Sequence, residues 1–212
     1  MKLNRSYAQF GTDIIIASYF DEEEILYGLD IGAVDGIFIS NTYALEVEKN
    51  ANILCIEANP AYANSLKKNR KLSMSCAIGA ENKKDVEFFV IKVHEHNNLS
   101  SVSSLSIDLQ LLEDHQKNYH ISQWKEIVEV KTIDSVLKNW NPPKLDFVSI
   151  DIEGTELSAL SAWTTFNKYN PRLLIVEANS INHEDALVDF FSKKNYKLDK
   201  KIEVNLFFIP NG

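Results

Sequence analysis

The chain has few of the residues that build disulfide frameworks or nucleic-acid surfaces. Its 212 residues include only two cysteines, five prolines and seven glycines. Cys55 and Cys76 both lie in apolar runs, so we expect buried thiols in a reducing compartment rather than a disulfide or a metal pair. The net charge of −8 at pH 7 argues against a surface for nucleic acid or anionic membranes, because such surfaces need clustered Lys and Arg.

Long apolar runs are lacking as well. The run Ile14–Ala17 is far too short to span a membrane, and the N-terminus carries Lys2 and Arg5 without the apolar stretch of a secretory signal. We therefore expect a cytoplasmic protein with no membrane partner. The densest basic stretch, Lys67–Lys71, falls at the end of a predicted helix, where cations complement the helix dipole.

From Leu26 onward, short apolar strands alternate with helical patterns. Strands are predicted at 26–31, 53–57, 75–78, 145–151 and 173–177, and helices at 36–49, 60–70, 156–166 and 183–194. This alternation is typical of a Rossmann-like α/β fold with a mostly parallel sheet and helices on both faces. Two final strands, 196–201 and 205–209, have no helix between them, which predicts an antiparallel terminal strand. The length suits a single domain covering residues 1–212.

The interval 87–130 interrupts this alternation. Residues 86–93 alternate enough to form an extra strand, 107–118 could be a helix, and 127–132 is predicted to be a strand. Between them, residues 94–106 are polar and rich in serine. This stretch is either a plain solvated loop or part of a substrate cover. We assign 87–130 to an insertion or substrate cover, and residues 1–25 to an N-terminal cap element.

The turn Asp30–Gly36 carries the strongest chemical signal. It follows a strand and precedes a helix, which is the context in which a glycine pattern indicates a nucleotide site. Gly32 permits a tight turn and the close approach of a ligand, and Gly36 lets the helix start close to the strand. We assign both glycines and Ala33 to a cofactor site. The alternative is a turn that connects strand and helix without binding any ligand.

The residues around these glycines favour a cationic cofactor over a dinucleotide. A dinucleotide-binding turn favours three glycines, whose bare amides face a pyrophosphate, whereas this turn has Val34 and Asp35 in that stretch. Asp30, at the head of the turn, would repel a pyrophosphate but suits a ligand that carries an ammonium and a sulfonium group. We therefore assign Asp30 to the cofactor site and expect S-adenosylmethionine as the cofactor.

Glu57 closes the second strand, about twenty residues after the turn, at a spacing seen for the ribose acid of nucleotide sites. A carboxylate there can accept hydrogen bonds from both ribose hydroxyls, each contributing about 1.5–3 kcal/mol. Dinucleotide enzymes place an acid similarly, so Glu57 indicates an adenosine ligand without choosing which one. We assign the following Ala58 and Asn59, together with Ala77 and Ile78 at the end of the third strand, to the same site.

Three more carboxylates, Asp151, Glu153 and Glu156, follow a central strand. Ligands of open α/β sheets bind outside the carboxyl ends of strands, so Asp151 and Glu153 are expected to face the reaction zone. We include Asp151 in the cofactor site as well. Glu156 is better placed as a first-turn acid that complements the helix dipole. A purely structural capping role for all three is the alternative.

These elements, taken in order, resemble the FkbM family of methyltransferases. The segments that carry the likeness are Ser6–Asp13, Asp30–Ala33, Glu57–Pro60, Lys131–Asp134, Asp151–Glu156, Val176–Glu177 and Asn195–Tyr196. The Asp-x-Glu-Gly-x-Glu pattern at Asp151–Glu156 is the most specific of them. The chain departs from the family at Val34, where Asn is common, and at Asn195, where Gly is usual.

The resemblance implies the Rossmann-like class I methyltransferase fold and an enzyme that uses S-adenosylmethionine to methylate a hydroxyl of a sugar or a small natural product. Such an enzyme must align the reactants, exclude water and remove the hydroxyl proton. Asp151 and Glu153 are candidate polar anchors, and one of them is a candidate general base. His183 is another base candidate because histidine titrates near neutral pH, although a loop histidine is more often a surface residue. Mg²⁺ held by Asp151, Glu153 and Glu177 is a lesser hypothesis.

Two other functions remain open at this point. One is an NAD(P)-dependent oxidoreductase, in which the dinucleotide would quench the fluorescence of Trp124, Trp140 or Trp163. The other is a non-catalytic module that binds the cofactor without transferring its methyl group. In each case we expect a small-molecule partner, no nucleic acid, and a monomer or homodimer.

Overall fold

The computed structural model describes residues 1–93, 101–105 and 121–212. The helices are α1 (Thr12–Ser18), α2 (Tyr43–Lys49), α3 (Ala63–Asn69), α4 (Ile133–Trp140), α5 (Glu156–Ser161), α6 (Phe166–Tyr169) and α7 (Ile181–Lys193). The strands are β1 (Tyr27–Ile31), β2 (Asn52–Glu57), β3 (Leu72–Ser75), β4 (Ala77–Ile78), β5 (Lys83–Val93), β6 (Ser101–Ser104), β7 (Ile121–Lys131), β8 (Phe147–Ile150), β9 (Leu173–Glu177), β10 (Tyr196–Ile202) and β11 (Asn205–Pro210). The helix predicted at 107–118 lies outside the described residues.

Seven strands form the main sheet in the order β10-β11-β9-β8-β1-β2-β3. The strands from β9 to β3 are mutually parallel, whereas β11 is antiparallel to both β9 and β10. The predicted mostly parallel sheet with an antiparallel terminal strand is therefore confirmed. The chain builds outward from β1 through β2 to β3, then returns to the other side of β1 at β8. Open α/β sheets bind ligands at the carboxyl ends of strands beside such a reversal.

Side chains of the central strands alternate between two cores. On one face, Leu29 and Ile31 of β1 join residues of α4, α5 and α7. On the other face, Ile53 and Cys55 of β2 join residues of α1, α2 and α3. Helices thus cover both faces, as predicted. Because successive strand residues point to opposite faces, Asp30 faces the side of α1, α2 and α3.

A second sheet has the order β4-β7-β5-β6. In it β5 is antiparallel to β6 and β7, and β4 is parallel to β7. Its buried side chains form a small core of their own from Ala77, Phe88, Val90, Val128 and Val130. The extra strand predicted at 86–93 is confirmed within β5. The serine-rich stretch, for which a plain loop and a substrate cover were both open, contributes β6 at Ser101–Ser104.

Several predicted boundaries are wrong for identifiable reasons. The helix expected at 36–49 begins only at Tyr43, because Gly36 and Ile39 have left-handed φ angles of 87° and 44° that a helix cannot accommodate. The helix expected at 156–166 is two helices, since Asp134 accepts hydrogen bonds from the amides of Thr164 and Thr165 between them.

The strand expected at 75–78 is also two strands. β3 belongs to the main sheet and β4 to the second. Between them, the amide of Cys76 donates to the carbonyl of Glu57 at 3.0 Å. Cys76 and Cys55 are both buried free thiols, as expected. None of the helices in the described ranges is long and apolar enough to cross a membrane.

Candidate active site

Two adjoining clefts open at the carboxyl ends of β1, β2 and β8, beside the sheet reversal. The larger cleft lies between these strand ends and the second sheet, and Leu105 just after β6 contributes to its lining. The smaller cleft lies on the side that Asp30 faces, and it includes Gln9 from the N-terminal segment and Asn205 from β11. Asp151 lines both clefts and so stands at their junction.

Most of the residues predicted to form the site come together here. Those lining the larger cleft are Gly32, Glu57, Ala58, Ala77, Ile78, Asp151 and Glu153. The smaller cleft adds Asp30, Ala33 and Glu177. Among the residues that the structure describes, Gly36, Asn59 and His183 line neither cleft. Gly36 instead contacts Arg70, the amide of Asn59 donates to Glu57, and His183 lies beside Glu156.

Gly32 joins the turn after β1 to the end of β8. Its φ angle is 91°, and a Cβ atom at this position would lie 1.8 Å from the carbonyl oxygen of Asp151. Only glycine satisfies both constraints, because any side chain would clash with backbone and few residues adopt this φ. Gly32 is therefore needed for the contact between the two strand ends.

Six backbone amides in and just after the turn donate hydrogen bonds within the protein. They donate from Gly32 and Ala33 to the carbonyl of Ile56, from Val34 to Glu57, from Gly36 to the carbonyl of Ala33, and from Ile37 and Phe38 to the carboxylate of Asp35, at 2.8–3.0 Å. A pyrophosphate is usually bound by such amides when they point outward. This arrangement disfavours a dinucleotide, in agreement with the sequence-based preference.

Glu57 is a buried carboxylate at the end of β2. Its two oxygens accept hydrogen bonds from the amides of Val34 at 2.8 Å and Asn59 at 2.7 Å. Burial raises the pKa of Glu57 to about 7. A carboxylate has about four lone-pair sites, so Glu57 can also accept hydrogen bonds from a ligand diol. The side chain of Asn59 accepts a hydrogen bond from the amide of Ala61 and so begins a 3₁₀ turn.

Asp30 forms a buried ion pair with Arg70, the residue that follows α3. Its carboxylate accepts the hydroxyl of Thr42 at 2.5 Å and lies 3.6 Å from the Arg70 guanidinium. Burial raises the pKa of Asp30, and the charge of Arg70 opposes that shift. Arg70 also pairs with Glu46 at 3.2 Å. The expectation that this basic stretch only complements a helix dipole is wrong for Arg70, whose side chain is fully buried.

Gly36 is explained by the same arginine. A Cβ atom at Gly36 would lie 2.5 Å from Cγ of Arg70, and the φ angle of Gly36 is 87°. The carbonyl of Gly36 accepts a hydrogen bond from the guanidinium at 3.1 Å. Gly36 therefore makes room for the arginine stem and accepts a hydrogen bond from its guanidinium.

An acid cluster is formed by Asp151, Glu153 and Glu177. Each contributes one carboxylate oxygen, and these three oxygens lie within 4.8 Å of one another. Burial, followed by the charge of Glu177, raises the pKa of Asp151 well above its usual range. Burial also raises the pKa of Glu153 to about 8, with further contributions from Glu177 and Glu156. Mutual repulsion of this kind favours a cationic ligand, whether organic or a hard metal ion such as Mg²⁺.

Glu156 shapes the turn that carries the cluster. Its carboxylate accepts the amides of Ile152 at 2.9 Å and Gly154 at 3.0 Å. This holds Glu153 and Gly154 in left-handed conformations, with φ angles of 57° and 96°. Nε2 of His183 lies 3.5 Å from the Glu156 carboxylate. His183 thus contacts the acid that supports the turn, whereas Asp151 and Glu153 line the cleft themselves.

Several cleft residues were not predicted from the sequence. Phe38 and Ile39 line both clefts and are 37% and 45% exposed, whereas Phe88 forms part of the wall contributed by the second sheet. The hydroxyl of Ser104 donates to the carbonyl of Glu153 at 3.1 Å, so β6 contacts the acid turn directly. Apolar residues and a single serine form no local sequence pattern that marks a site. Among these residues only Phe38 and Ile39 lie close in sequence to a predicted motif, the turn Asp30–Gly36.

The N-terminal segment reaches the smaller cleft because Asp13 folds it back. The buried carboxylate of Asp13 accepts the hydroxyl of Ser6 at 2.6 Å and the amide of Tyr7 at 2.7 Å. This closed loop carries Gln9 to the cleft. The element from Ser6 to Asp13 is therefore a loop closed by Asp13 that places Gln9 at the smaller cleft.

The chain is similar to known methyltransferases in its family and in its fold. A family model described as the methyltransferase FkbM domain matches residues 30–198. No curated protein matches the chain. The structure of an FkbM methyltransferase from Methylobacillus flagellatus KT aligns with a TM-score of 0.58 at 14% identity, over 97% of this chain and 48% of that one. The chain thus spans about half the length of that protein.

Other solved methyltransferases align less well. A precorrin-6y C5,15-methyltransferase from Geobacter metallireducens GS-15 has a TM-score of 0.46 at 14% identity, over 93% of this chain and 85% of that one. The N-terminal domain of human METTL16 has a TM-score of 0.49 at 11% identity, over 95% and 67% of the two chains. The sheet order and the first alignment confirm the predicted Rossmann-like class I methyltransferase fold. Because the family model spans the glycine turn, Glu57 and the acid turn, the chain belongs to the FkbM methyltransferase domain family.

Proposed function

We propose that the chain is an S-adenosylmethionine-dependent methyltransferase that methylates a hydroxyl of a sugar or small natural-product acceptor. The observation that carries the proposal is the position of Glu57, a buried carboxylate with lone pairs to spare, between an apolar wall and an acid cluster. These three features suit the ribose diol, the adenine ring and the cationic end of the cofactor. The family and the fold support the same cofactor.

Each part of the cofactor has residues suited to hold it. Glu57 accepts the ribose hydroxyls, and the wall formed by Ala77, Ile78 and Phe88 takes the adenine ring through apolar contact. Asp151, at the junction of the clefts, attracts the positive charge. When bound, S-adenosylmethionine supplies an electrophilic methyl group on a sulfonium.

The acceptor hydroxyl must lose its proton during the transfer. We assign that proton to Glu153, which lines the larger cleft and whose pKa of about 8 suits a base that works near neutral pH. Asp151 then serves as a polar anchor beside the reacting atoms. His183 contacts Glu156 and remains the second base candidate.

The two competing functions have weaker support. A dinucleotide would need outward-facing amides in the turn, and those on both sides of Asp35 already donate to protein acceptors. A non-catalytic module would share the cofactor site but would not transfer the methyl group. The acid turn with Glu153 in the cleft favours an enzyme over such a module.

Calorimetry with S-adenosylmethionine and S-adenosylhomocysteine tests the proposal. We expect binding in the micromolar range, lost on Glu57→Ala and retained on Glu87→Ala, a control that removes an exposed acid of β5. Absence of binding by the folded wild-type protein would overturn the proposal. A screen for methyl transfer to sugar and natural-product hydroxyls then separates an enzyme from a binding module.

A further inference from the structure

The loop of residues 36–42, between the cofactor turn and α2, has no regular secondary structure. Its tip carries Phe38 and Ile39, which line both clefts. Ile39 has a left-handed φ of 44°, a conformation that a β-branched residue rarely adopts by itself. The position of this loop therefore depends on how its two ends are held.

A single guanidinium holds both ends. Arg70 donates to the carbonyl of Gly36 at 3.1 Å, at the start of the loop. It also donates to the hydroxyls of Ser40 at 3.4 Å and Thr42 at 2.9 Å, at the end of the loop. The planar fork of arginine fixes several acceptors at once, and this fork is fully buried. Its hydrogen bonds are consequently shielded from competing water.

Thr42 links this support to an acid of the smaller cleft. Its hydroxyl accepts from Arg70 and donates to the carboxylate of Asp30 at 2.5 Å. Asp30 lines the smaller cleft, whereas neither Arg70 nor Thr42 is among the described residues that line a cleft. The Thr42 hydroxyl is therefore bonded both to the arginine that holds the loop and to the cleft carboxylate of Asp30.

We infer that Arg70, acting through Thr42, is a positioning residue that sets cofactor affinity by fixing loop 36–42 over the clefts and by orienting Asp30. The inference rests on the proposed cofactor. The buried network of Arg70 would thus affect the ligand in two ways. It places Phe38 and Ile39 at the clefts, and it orients the carboxylate of Asp30. Both effects are indirect, so they should alter binding without removing any group that contacts the ligand.

Thr42→Val tests this most cleanly, because valine keeps the shape of threonine and removes the hydroxyl. We expect S-adenosylhomocysteine to bind about tenfold more weakly to the folded variant, the size expected for losing a hydrogen bond to charged partners. Thr42→Ser, which keeps the hydroxyl, should recover most of that loss. Thr12→Val is the matched control, since Thr12 is a buried threonine whose hydroxyl has no hydrogen-bond partner among the described residues.

Hydrogen exchange on the unliganded protein supplies an independent readout. The amides of Ile37, Phe38 and Tyr43 should exchange faster in Thr42→Val than in the wild type or in Thr12→Val. If Thr42→Val does not fold, Arg70→Lys replaces it, because lysine keeps the charge but cannot hold both ends of the loop. The same loss of affinity and the same faster exchange are then expected.

The outcomes separate this inference from the proposed function. A variant that binds with wild-type affinity overturns the inference, even if its melting temperature falls, because Arg70 and Thr42 would then be purely structural. Unchanged exchange in the loop, despite weaker binding, overturns the assigned mechanism. If the wild-type protein binds neither S-adenosylmethionine nor S-adenosylhomocysteine, the proposed function fails and the inference fails with it.

Discussion

Gly32 and Asp151 are in such close contact that a Cβ atom on Gly32 would lie 1.8 Å from the carbonyl oxygen of Asp151. The amide of Asp151 also donates to the carbonyl of Ile31 at 2.9 Å, so the ends of β1 and β8 are joined on successive residues. This contact brings the glycine turn and the acid cluster into one site. The main features of the proposed cofactor site depend on it.

Gly32→Ala should be severely destabilising. The new methyl group would force apart the ends of β1 and β8, at a residue whose φ of 91° also disfavours a side chain. We expect the free energy of unfolding to fall by more than about 3 kcal/mol, measured by urea denaturation. Gly154→Ala is the matched control, because its φ is 96° but no atom lies within 4 Å of the added Cβ. Equal losses for both variants would contradict the role assigned to the contact.

Val34→Asn should stabilise the protein. Val34 has a φ of 52°, which is strained for a β-branched residue and well tolerated by asparagine. We expect a gain of about 1 kcal/mol in the free energy of unfolding, with a similar gain for Val34→Gly, which separates backbone strain from side-chain contact. Val47→Asn, at an exposed helical position, should give no gain. A loss of stability in both Val34 variants would show that the valine side chain matters more than the backbone strain.

Cofactor affinity should rise with pH through about 7. Burial raises the pKa of Glu57 to about 7 in the unliganded protein, and the ribose hydroxyls donate best to the ionised form. S-adenosylhomocysteine should therefore bind up to about tenfold more tightly at pH 8 than at pH 6. Glu57→Gln should bind weakly and lose this part of the pH dependence, measured by calorimetry. A wild-type profile that matches the Glu57→Gln profile would exclude Glu57 as the titrating group.

Glu177→Gln should stabilise the unliganded protein at alkaline pH. The raised pKa values of Asp151 and Glu153 mean that these acids cost little stability at low pH and more as pH rises through about 8. Removing the charge of Glu177 should add about 1 kcal/mol, or about 2–4 °C in melting temperature, at pH 9 but not at pH 5.

The melting measurements for Glu177→Gln need EDTA, so that divalent cations do not neutralise the cluster. Glu87→Gln, which removes an exposed acid of the second sheet, should change the melting temperature little at either pH. We also expect Glu177→Gln to weaken cofactor binding, because the cluster that destabilises the empty site attracts the cation. An equal gain at pH 5 and pH 9 would rule out charge repulsion as the cause.

Glu153→Gln and His183→Ala separate the two base candidates. Glu153 lines the larger cleft, whereas His183 contacts Glu156 at 3.5 Å. With an acceptor found by screening, Glu153→Gln should lower kcat by about 10²–10⁴, the contribution of a general base. His183→Ala should lower kcat by less than about tenfold, since Glu156 keeps its backbone hydrogen bonds. The reverse order would assign the base to His183.

Features that depend on local patterns were predicted well. The strand–helix alternation and the antiparallel end of the sheet follow from apolar periodicity and from the absence of a helix between the last two strands. Gly32, Glu57, Asp151 and Glu153 belong to short motifs at strand ends, and parallel strands bring such ends together at one edge. These residues all line the larger cleft.

Features that depend on distant segments were not predicted. Arg70 looked like one of several surface cations, because its burial requires Asp30, Gly36 and Glu46 from three other parts of the chain. The start of α2 was misplaced because Gly36 and Ile39 before it are left-handed, in a loop whose two ends are bonded to that same arginine. Local periodicity contains no information about hydrogen bonds between side chains and segments so distant in sequence.

The amino-acid sequence by itself determined the fold class, the glycine turn after β1 and the acids at the strand ends, because each of these is encoded in a short run of residues. Only the tertiary structure decided that Asp151, Glu153 and Glu177 lie together, that His183 contacts Glu156, and that Arg70 donates to the carbonyl of Gly36 at the end of the turn. The physical reason is that contacts between remote segments depend on strand order and burial. Burial also sets the pKa values of Glu57 and Glu153, on which the proposed chemistry depends.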